Sequence, residues 1–138
     1  MKRTDRRSDC PTNFAVESVG DSWSLLIVRD LMFKGKNTYS EFADSEERIS
    51  TNILAARLRG LLANGIVRRE GRGRTGRYFL TRKGLDLLPM MVEMIVWSGQ
   101  HDPDTAAPQG FLTRADKDRD GLLSELEAGL VEAHELLP

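Results

Sequence analysis

Between Arg48 and Lys83 the sequence gathers ten basic side chains and a single acid, Glu70. Nine of the ten are arginine (Arg48, Arg57, Arg59, Arg68, Arg69, Arg72, Arg74, Arg77 and Arg82), whose forked guanidinium suits phosphate oxygens and guanine edges. The flanks run the other way. Residues 1–47 hold seven basic and nine acidic side chains, and residues 84–138 hold three and eleven. A net charge of −1 therefore conceals a segment suited to a polyanion. The bland reading is a solvated basic face, and a further one is a grip on an acidic protein partner.

Within that segment Ser50, Thr51 and Asn52 stand at a helix start, and the outward face continues to Ala56 and Arg59. Small residues let a backbone approach DNA, Asn52 can pair with adenine or a phosphate, and Arg59 can reach guanine or a phosphate. Free N–H groups at the helix start favour a phosphate oxygen as well. The same stretch also reads as an ordinary capped surface helix. Residues 71–76, Gly-Arg-Gly-Arg-Thr-Gly, are rich in glycine and positive charge. They lack the GK[ST] ending of a nucleotide loop, and a strand follows them, so they read as a hairpin tip. Arg72, Arg74 and Arg77 would then reach the minor groove or flanking phosphates, against the alternative of a solubilising turn.

Three other sets of residues invite chemistry. Cys10, the one cysteine, precedes a helix and has Arg6 and Arg7 nearby, surroundings that would favour a thiolate; otherwise it is a small packed residue. Asp116, Asp118, Asp120, Gly121 and Glu127 match the calcium-loop spacing D-x-D-x-D-G-x5-E, yet the same stretch reads as an acidic amphipathic helix or helix pair. His101 and His134 lack the spacing of zinc ligands. No set of nucleophile, base and orienter emerges, so neither an enzyme nor a cofactor is expected.

The elements that must position these groups follow from punctuation and period. Pro11 opens a helix that Gly20 closes, and Asp21 or Ser22 caps the next, with Trp23, Leu26, Ile27, Leu31 and Phe33 inward. Residues 39–43 form a short helix. Ser50 or Thr51 caps a longer one reaching about Asn64, with Leu54, Leu58, Leu61 and Leu62 on one stripe and Asn52, Ala56, Arg59 and Ala63 opposite. Residues 66–70 and 77–81 are strand-like. A long apolar helix begins at Gly84, residues 99–110 form a linker, and residues 111–137 form the acidic helical tail. Short helix, linker, helix, hairpin, helix is the order of a winged helix-turn-helix, a mainly α fold with a small β-hairpin.

Four stretches resemble the HxlR-type winged-helix regulators: Cys10-Pro11; Gly20-Asp21-Ser22-Trp23-Ser24-Leu25-Leu26-Ile27-Val28-Arg29-Asp30-Leu31; Ile49-Ser50-Thr51-Asn52-Ile53-Leu54 with Arg57-Leu58; and Tyr78-Phe79-Leu80-Thr81-Arg82-Lys83-Gly84. They span roughly residues 10–100 in that family's order. The resemblance implies a cytoplasmic, homodimeric regulator of transcription on double-stranded DNA, with dimerisation through N- and C-terminal helices. It implies Ser50, Thr51, Asn52 and Arg57 as recognition-helix positions and the wing at Arg72, Arg74, Thr75 and Arg77. It also implies thiol sensing at Cys10 in some members, and leaves a small-molecule effector open. The expected organisation is an N-terminal arm over 1–9, a winged-helix and dimerisation domain over 10–100, and a linker with an acidic tail over 101–138. The rival readings are a winged helix used for protein contact and a calcium-responsive module built on the tail. The polar start Lys2-Arg3-Thr4-Asp5 predicts no secretory signal, and no apolar run is long enough for a membrane span.

Overall fold

The computed structural model describes residues 6–136, leaving aside the Arg74 side chain. Most of the expected N-terminal arm, residues 1–5, thus lies outside the described residues. The chain forms two compact units, one ending at Phe79 and the other beginning at Leu80.

In the first unit, α1 (Pro11–Val19), α2 (Ser24–Phe33), α3 (Tyr39–Ala43) and α4 (Thr51–Ala63) precede the strands β1 (Val67–Glu70) and β2 (Arg77–Leu80). The two strands pair as an antiparallel hairpin. Each helix starts where a side chain or a proline deals with its free N–H groups. Pro11 occupies the first turn of α1. The Asp21 carboxylate accepts from the N–H groups of Trp23 and Ser24 at 2.8 and 2.9 Å. Thr38 and Glu41 form a reciprocal capping box at α3, and the Ser50 hydroxyl accepts from Ile53 N–H at 3.3 Å. On α4 the apolar stripe is buried at Leu54, Leu58 and Leu61, with Leu62 half-buried at its margin. It packs against α2, α3 and β1. Ile27, Val28, Leu31 and Phe42 supply the facing core, and the Phe42 ring meets Tyr78 edge-on at 5.8 Å.

The second unit holds α5 (Arg82–Leu85), α6 (Leu88–His101), α7 (Gln109–Lys117) and α8 (Arg119–Ala133). Here the structure departs from the periodicity in two places. The apolar helix expected from Gly84 is broken into α5 and α6, because Pro89 has no N–H to continue a ladder and sits instead in the first turn of α6. The linker is also shorter than glycine content suggests: α6 runs through Gly99 to His101, and α7 begins at Gln109. The tail is a helix pair, with α7 on α6 and α8 on α5, α6 and α7, closing a small core around Leu85, Leu88, Val92, Ala115, Leu122 and Leu130.

Replacing Leu58, 2% exposed, by alanine should lower the unfolding free energy by about 2–5 kcal/mol in urea titration. A loss below about 1 kcal/mol would contradict the burial of the α4 stripe.

Candidate nucleic-acid interface

The first turn of α4 presents Ser50, Thr51 and Asn52 as exposed residues, and Arg59 follows on the same outward side. Ala56, between them, is half-buried. This start is held by α3, since the Tyr39 hydroxyl donates to the Thr51 carbonyl at 3.0 Å. Arg57 turns away from that face. Its Nε lies 3.1 Å from Asp21 Oδ1, although the angle is poor enough to leave this buried nitrogen without a formal hydrogen bond. Burial pushes the Asp21 carboxyl up, but the Ser24 hydroxyl, the N–H groups of Trp23 and Ser24, and the Arg57 charge together hold it below its ordinary range. Arg57 therefore joins the middle of α4 to the start of α2.

The turn between α3 and α4 is fixed by a polar cluster at the end of α2. Asp30 is 2% exposed in the middle of an apolar helix. One of its oxygens accepts from Arg29 Nε and Nη2 at 3.0 and 2.8 Å, and the other accepts from the Ser45 hydroxyl at 2.7 Å. Lys36 Nζ donates to that hydroxyl at 3.2 Å. Arg29 also grips Glu47 through both terminal nitrogens, at 2.6 and 3.0 Å. The bond to Glu47 is the main reason the guanidinium holds its proton more tightly than an ordinary arginine, and the Arg29 bond lowers the Glu47 carboxyl in turn. Arg48 follows at φ 57, a left-handed conformation costly for an arginine, before the chain enters α4. Sequence reasoning missed Tyr39, Asp30 and Arg48. Only Asp30 left a signal, as a charged pair with Arg29 inside an apolar run.

The hairpin divides its arginines between two tasks. Arg69 lies across the tip, donating to the Gly73 carbonyl at 2.9 Å with its guanidinium 5.5 Å from the Tyr78 ring. A Cβ on Gly76 would meet the Arg69 guanidinium, so a larger residue there would displace that side chain from the tip. Arg68 sits 4.4 Å over the Phe79 ring and pairs with Glu70. Gly71 and Gly73, at φ 83 and 57, turn the chain through a short 3₁₀ segment, Gly73–Thr75, and the Thr75 hydroxyl donates back to the Arg72 carbonyl at 3.0 Å. Arg72, Thr75 and Arg77 are exposed, and neither Arg72 nor Arg77 has an ion-pair partner among the described residues. The side chain of Arg74, the remaining expected wing contact, lies outside the described ones.

Cys10 is exposed at the N-cap of α1. Its sulfur makes no formal capping bond, but the N–H groups of Asn13 and Thr12 and the Thr12 hydroxyl face it and hold the thiol below its ordinary value. The nearby arginines play no visible part. Arg6 pairs with Asp9, and Arg7 with Asn13 and Glu17.

The calcium-loop spacing has a different physical origin. Residues 116–127 are mostly helical, and Asp118 caps α8 by accepting from Gly121 N–H at 3.1 Å. A Cβ at Gly121 would strike the Asp118 carboxylate, which accounts for the glycine. Glu127 pairs with Arg82. Among the described residues no three His, Cys, Asp or Glu side chains converge to hold a metal, and no helix is long and apolar enough to cross a membrane.

Comparison with known proteins shows what this chain is similar to. The family model for the HxlR-like helix-turn-helix matches residues 18–105. An uncharacterised HTH-type transcriptional regulator of Synechocystis, sll1512, is 32% identical over 88 residues, covering 62% of this chain and 64% of that protein, just under two thirds of its length. The HTH-type transcriptional regulator YodB of Bacillus subtilis is 35% identical over 95 residues, 66% of this chain and 84% of YodB. Among solved structures, the oxidised redox regulator HypR superposes with TM-score 0.59 at 30% identity over 67% of this chain and 97% of HypR. Reduced YodB gives 0.56 at 32% identity over 71% of this chain and all of YodB, and YodB has also been solved with quinone bound.

If the cluster at the end of α2 fixes the turn, Asp30→Asn should cost about 1–3 kcal/mol of stability, because it leaves buried donors poorly answered. Glu47→Gln, at the exposed end of the same cluster, should cost less than about 1 kcal/mol. Urea titration of the two variants checks the order, and equal costs would contradict it.

Proposed function

The chain belongs to the HxlR-like helix-turn-helix family of DNA-binding transcription regulators, and we propose that it works as a homodimer that reads an operator with α4 and responds to thiol-reactive compounds at Cys10. The observation that carries the DNA reading is the exposed first turn of α4, with Asn52 and Arg59 outward, in the same unit as a hairpin whose Arg72 and Arg77 are exposed and have no ion-pair partner among the described residues. Ser50, Thr51 and Asn52 face base edges and the nearest phosphate in the major groove, and Arg59 extends that contact. Arg72, Arg74, Thr75 and Arg77 hold the flanking backbone. Ala56 keeps the helix close to the groove, and Arg57 acts through Asp21 to hold its pitch.

Pairing of two copies is supported by large apolar side chains left open on single helices. Phe14 and Val16 on α1 are 48% and 49% exposed, and Met94 and Trp97 on α6 are 45% and 64% exposed. A second copy covers them and sets two α4 helices at the spacing of successive major grooves. Thiol sensing is supported by the open, pKa-lowered Cys10 and by the likeness to HypR and YodB. Two Cys10 thiolates, one from each protomer, give two electrons to an oxidant and form an intersubunit disulfide; an electrophile such as a quinone instead adds to one thiolate as a thioether.

Selection from a random duplex pool under reducing conditions tests the reading. We expect a twofold-symmetric site whose affinity falls steeply with salt. On that site Asn52→Ala and Arg59→Ala should change the ranking of operator variants, whereas Arg72→Ala and Arg77→Ala should weaken all of them together and flatten the salt slope by about one unit per lost phosphate contact. No enriched site, together with salt-insensitive binding to an acidic protein, would favour the protein-contact reading. For the thiol, Cys10→Ser should bind the selected site normally and keep hold of it in diamide, while the native chain lets go. Equal release from both proteins would remove Cys10 from the account.

A further inference from the structure

Among the described residues a left-handed backbone occurs at Gly35, Gly65, Gly71, Gly73, Arg48 and Glu135. Glycine suits such a position because it has no Cβ to crowd the following carbonyl oxygen. Glu135 lies in the turn beyond α8. Arg48 lies between α3 and α4, at φ 57, and there an arginine strains the chain.

The strain cannot relax, because the turn is tied on both sides. The Arg48 N–H donates to the Ser45 carbonyl at 3.0 Å, and the Ser45 hydroxyl is anchored on Asp30. Glu47, the residue before, is gripped by Arg29. Two residues later the Ser50 hydroxyl caps α4, and the Tyr39 hydroxyl holds the Thr51 carbonyl. These bonds account for the backbone conformation but not for the side chain. Glycine or asparagine would keep the same backbone bonds with less strain. Nor does the guanidinium serve the turn. Asp44, Glu46 and Glu47 all stand within four residues of it, yet Arg48 is exposed with no ion-pair partner among the described residues.

We propose that Arg48 is a phosphate contact, a cation carried on a pinned turn that grips the DNA backbone beside the groove entered by α4. This rests on the DNA reading given above and adds a contact that reading leaves out. Phosphate is favoured over a base edge by position. The second helix of a helix-turn-helix turns its N-terminal residues to base edges, while the element before it crosses the sugar–phosphate backbone. Arg48 belongs to that approach, two residues ahead of the Ser50 cap. Its charge also has work to do there, because Asp44 and Glu46 are exposed on the same turn and would repel a phosphate that approached without it. A turn already fixed by its neighbours loses little backbone freedom when the contact forms.

Binding of the full chain to a pool of random-sequence duplexes, over a salt series under reducing conditions, tests the contact alongside urea unfolding. Arg48→Asn removes the charge and suits a left-handed backbone, so its urea midpoint should equal or exceed the native one. Its affinity for the pool should fall by about three- to tenfold at physiological salt, and the salt slope should flatten by about one unit per lost contact. Arg48→Lys keeps the charge and should keep the native slope. The ranking of sequences within the pool should not change in either variant, since a phosphate carries no sequence information. Native affinity and slope in Arg48→Asn, an altered ranking, or an equal loss in Arg48→Lys would overturn the contact. Should Arg48→Asn fail to fold, the native chain decides: the NMR signal of the Arg48 Nε–H should move when the pool is added, and an unmoved signal overturns it. Failure of the DNA reading looks different. A native chain that binds no duplex removes both, whereas binding whose slope depends on Arg72 and Arg77 but not on Arg48 removes this contact alone.

Discussion

Leu54, Leu58 and Leu61 are the constraint from which the surface proposed to read DNA follows. At about 100° per residue they define one narrow stripe of α4, and burying it against α2, α3 and β1 leaves no freedom in the helix rotation. Asn52 and Arg59 then stand on the far side, and Arg57 falls on the flank, where Asp21 meets it. A rotation that brought Arg57 outward would carry a leucine into water and drive Arg59 toward the core, at a cost of several kcal/mol. Rotation alone does not set the height of the helix. That is fixed at its start, where the Tyr39 hydroxyl, the Ser50 cap and the Asp30 cluster tie the preceding turn to α2 and α3.

The basic segment divides its labour in a way that composition hides. Arg57, Arg68, Arg69 and Arg82 are engaged by other groups of the chain, by carboxylates, aromatic rings or a carbonyl. Arg48, Arg59, Arg72 and Arg77 are exposed, without an ion pair among the described residues. Arg68 and Arg69 brace the hairpin that carries Arg72 and Arg77, because a two-strand hairpin alone has too little core to hold its tip.

The helices of the first unit were legible in the sequence because their apolar periods are unbroken and each start carries a capping residue or proline. The hairpin was legible from paired short runs around a glycine-rich tip. That Arg68 and Arg69 are engaged by the hairpin itself was not, since stacking on Phe79 or Tyr78 depends on cross-strand neighbours rather than residue type. The C-terminal half was harder to read. Gly84 and Gly99 look like boundaries, yet Pro89 makes the break and α6 passes through Gly99. The acids at 116, 118 and 120 have calcium spacing, but one of them is a helix cap, and Gly121 is the residue that lets the cap fold over. The hydrogen bond from the Leu80 N–H to His134 Nδ1 could not be found by pattern at all, because the two residues lie 54 apart in sequence.

Amide chemical-shift mapping on the full chain, with its selected duplex added under reducing conditions, tests the central claim most directly. The account predicts perturbations concentrated at residues 50–59 and 71–77, with α7 and α8 nearly silent. Shifts centred on α7 and α8, with the start of α4 unmoved, would contradict it.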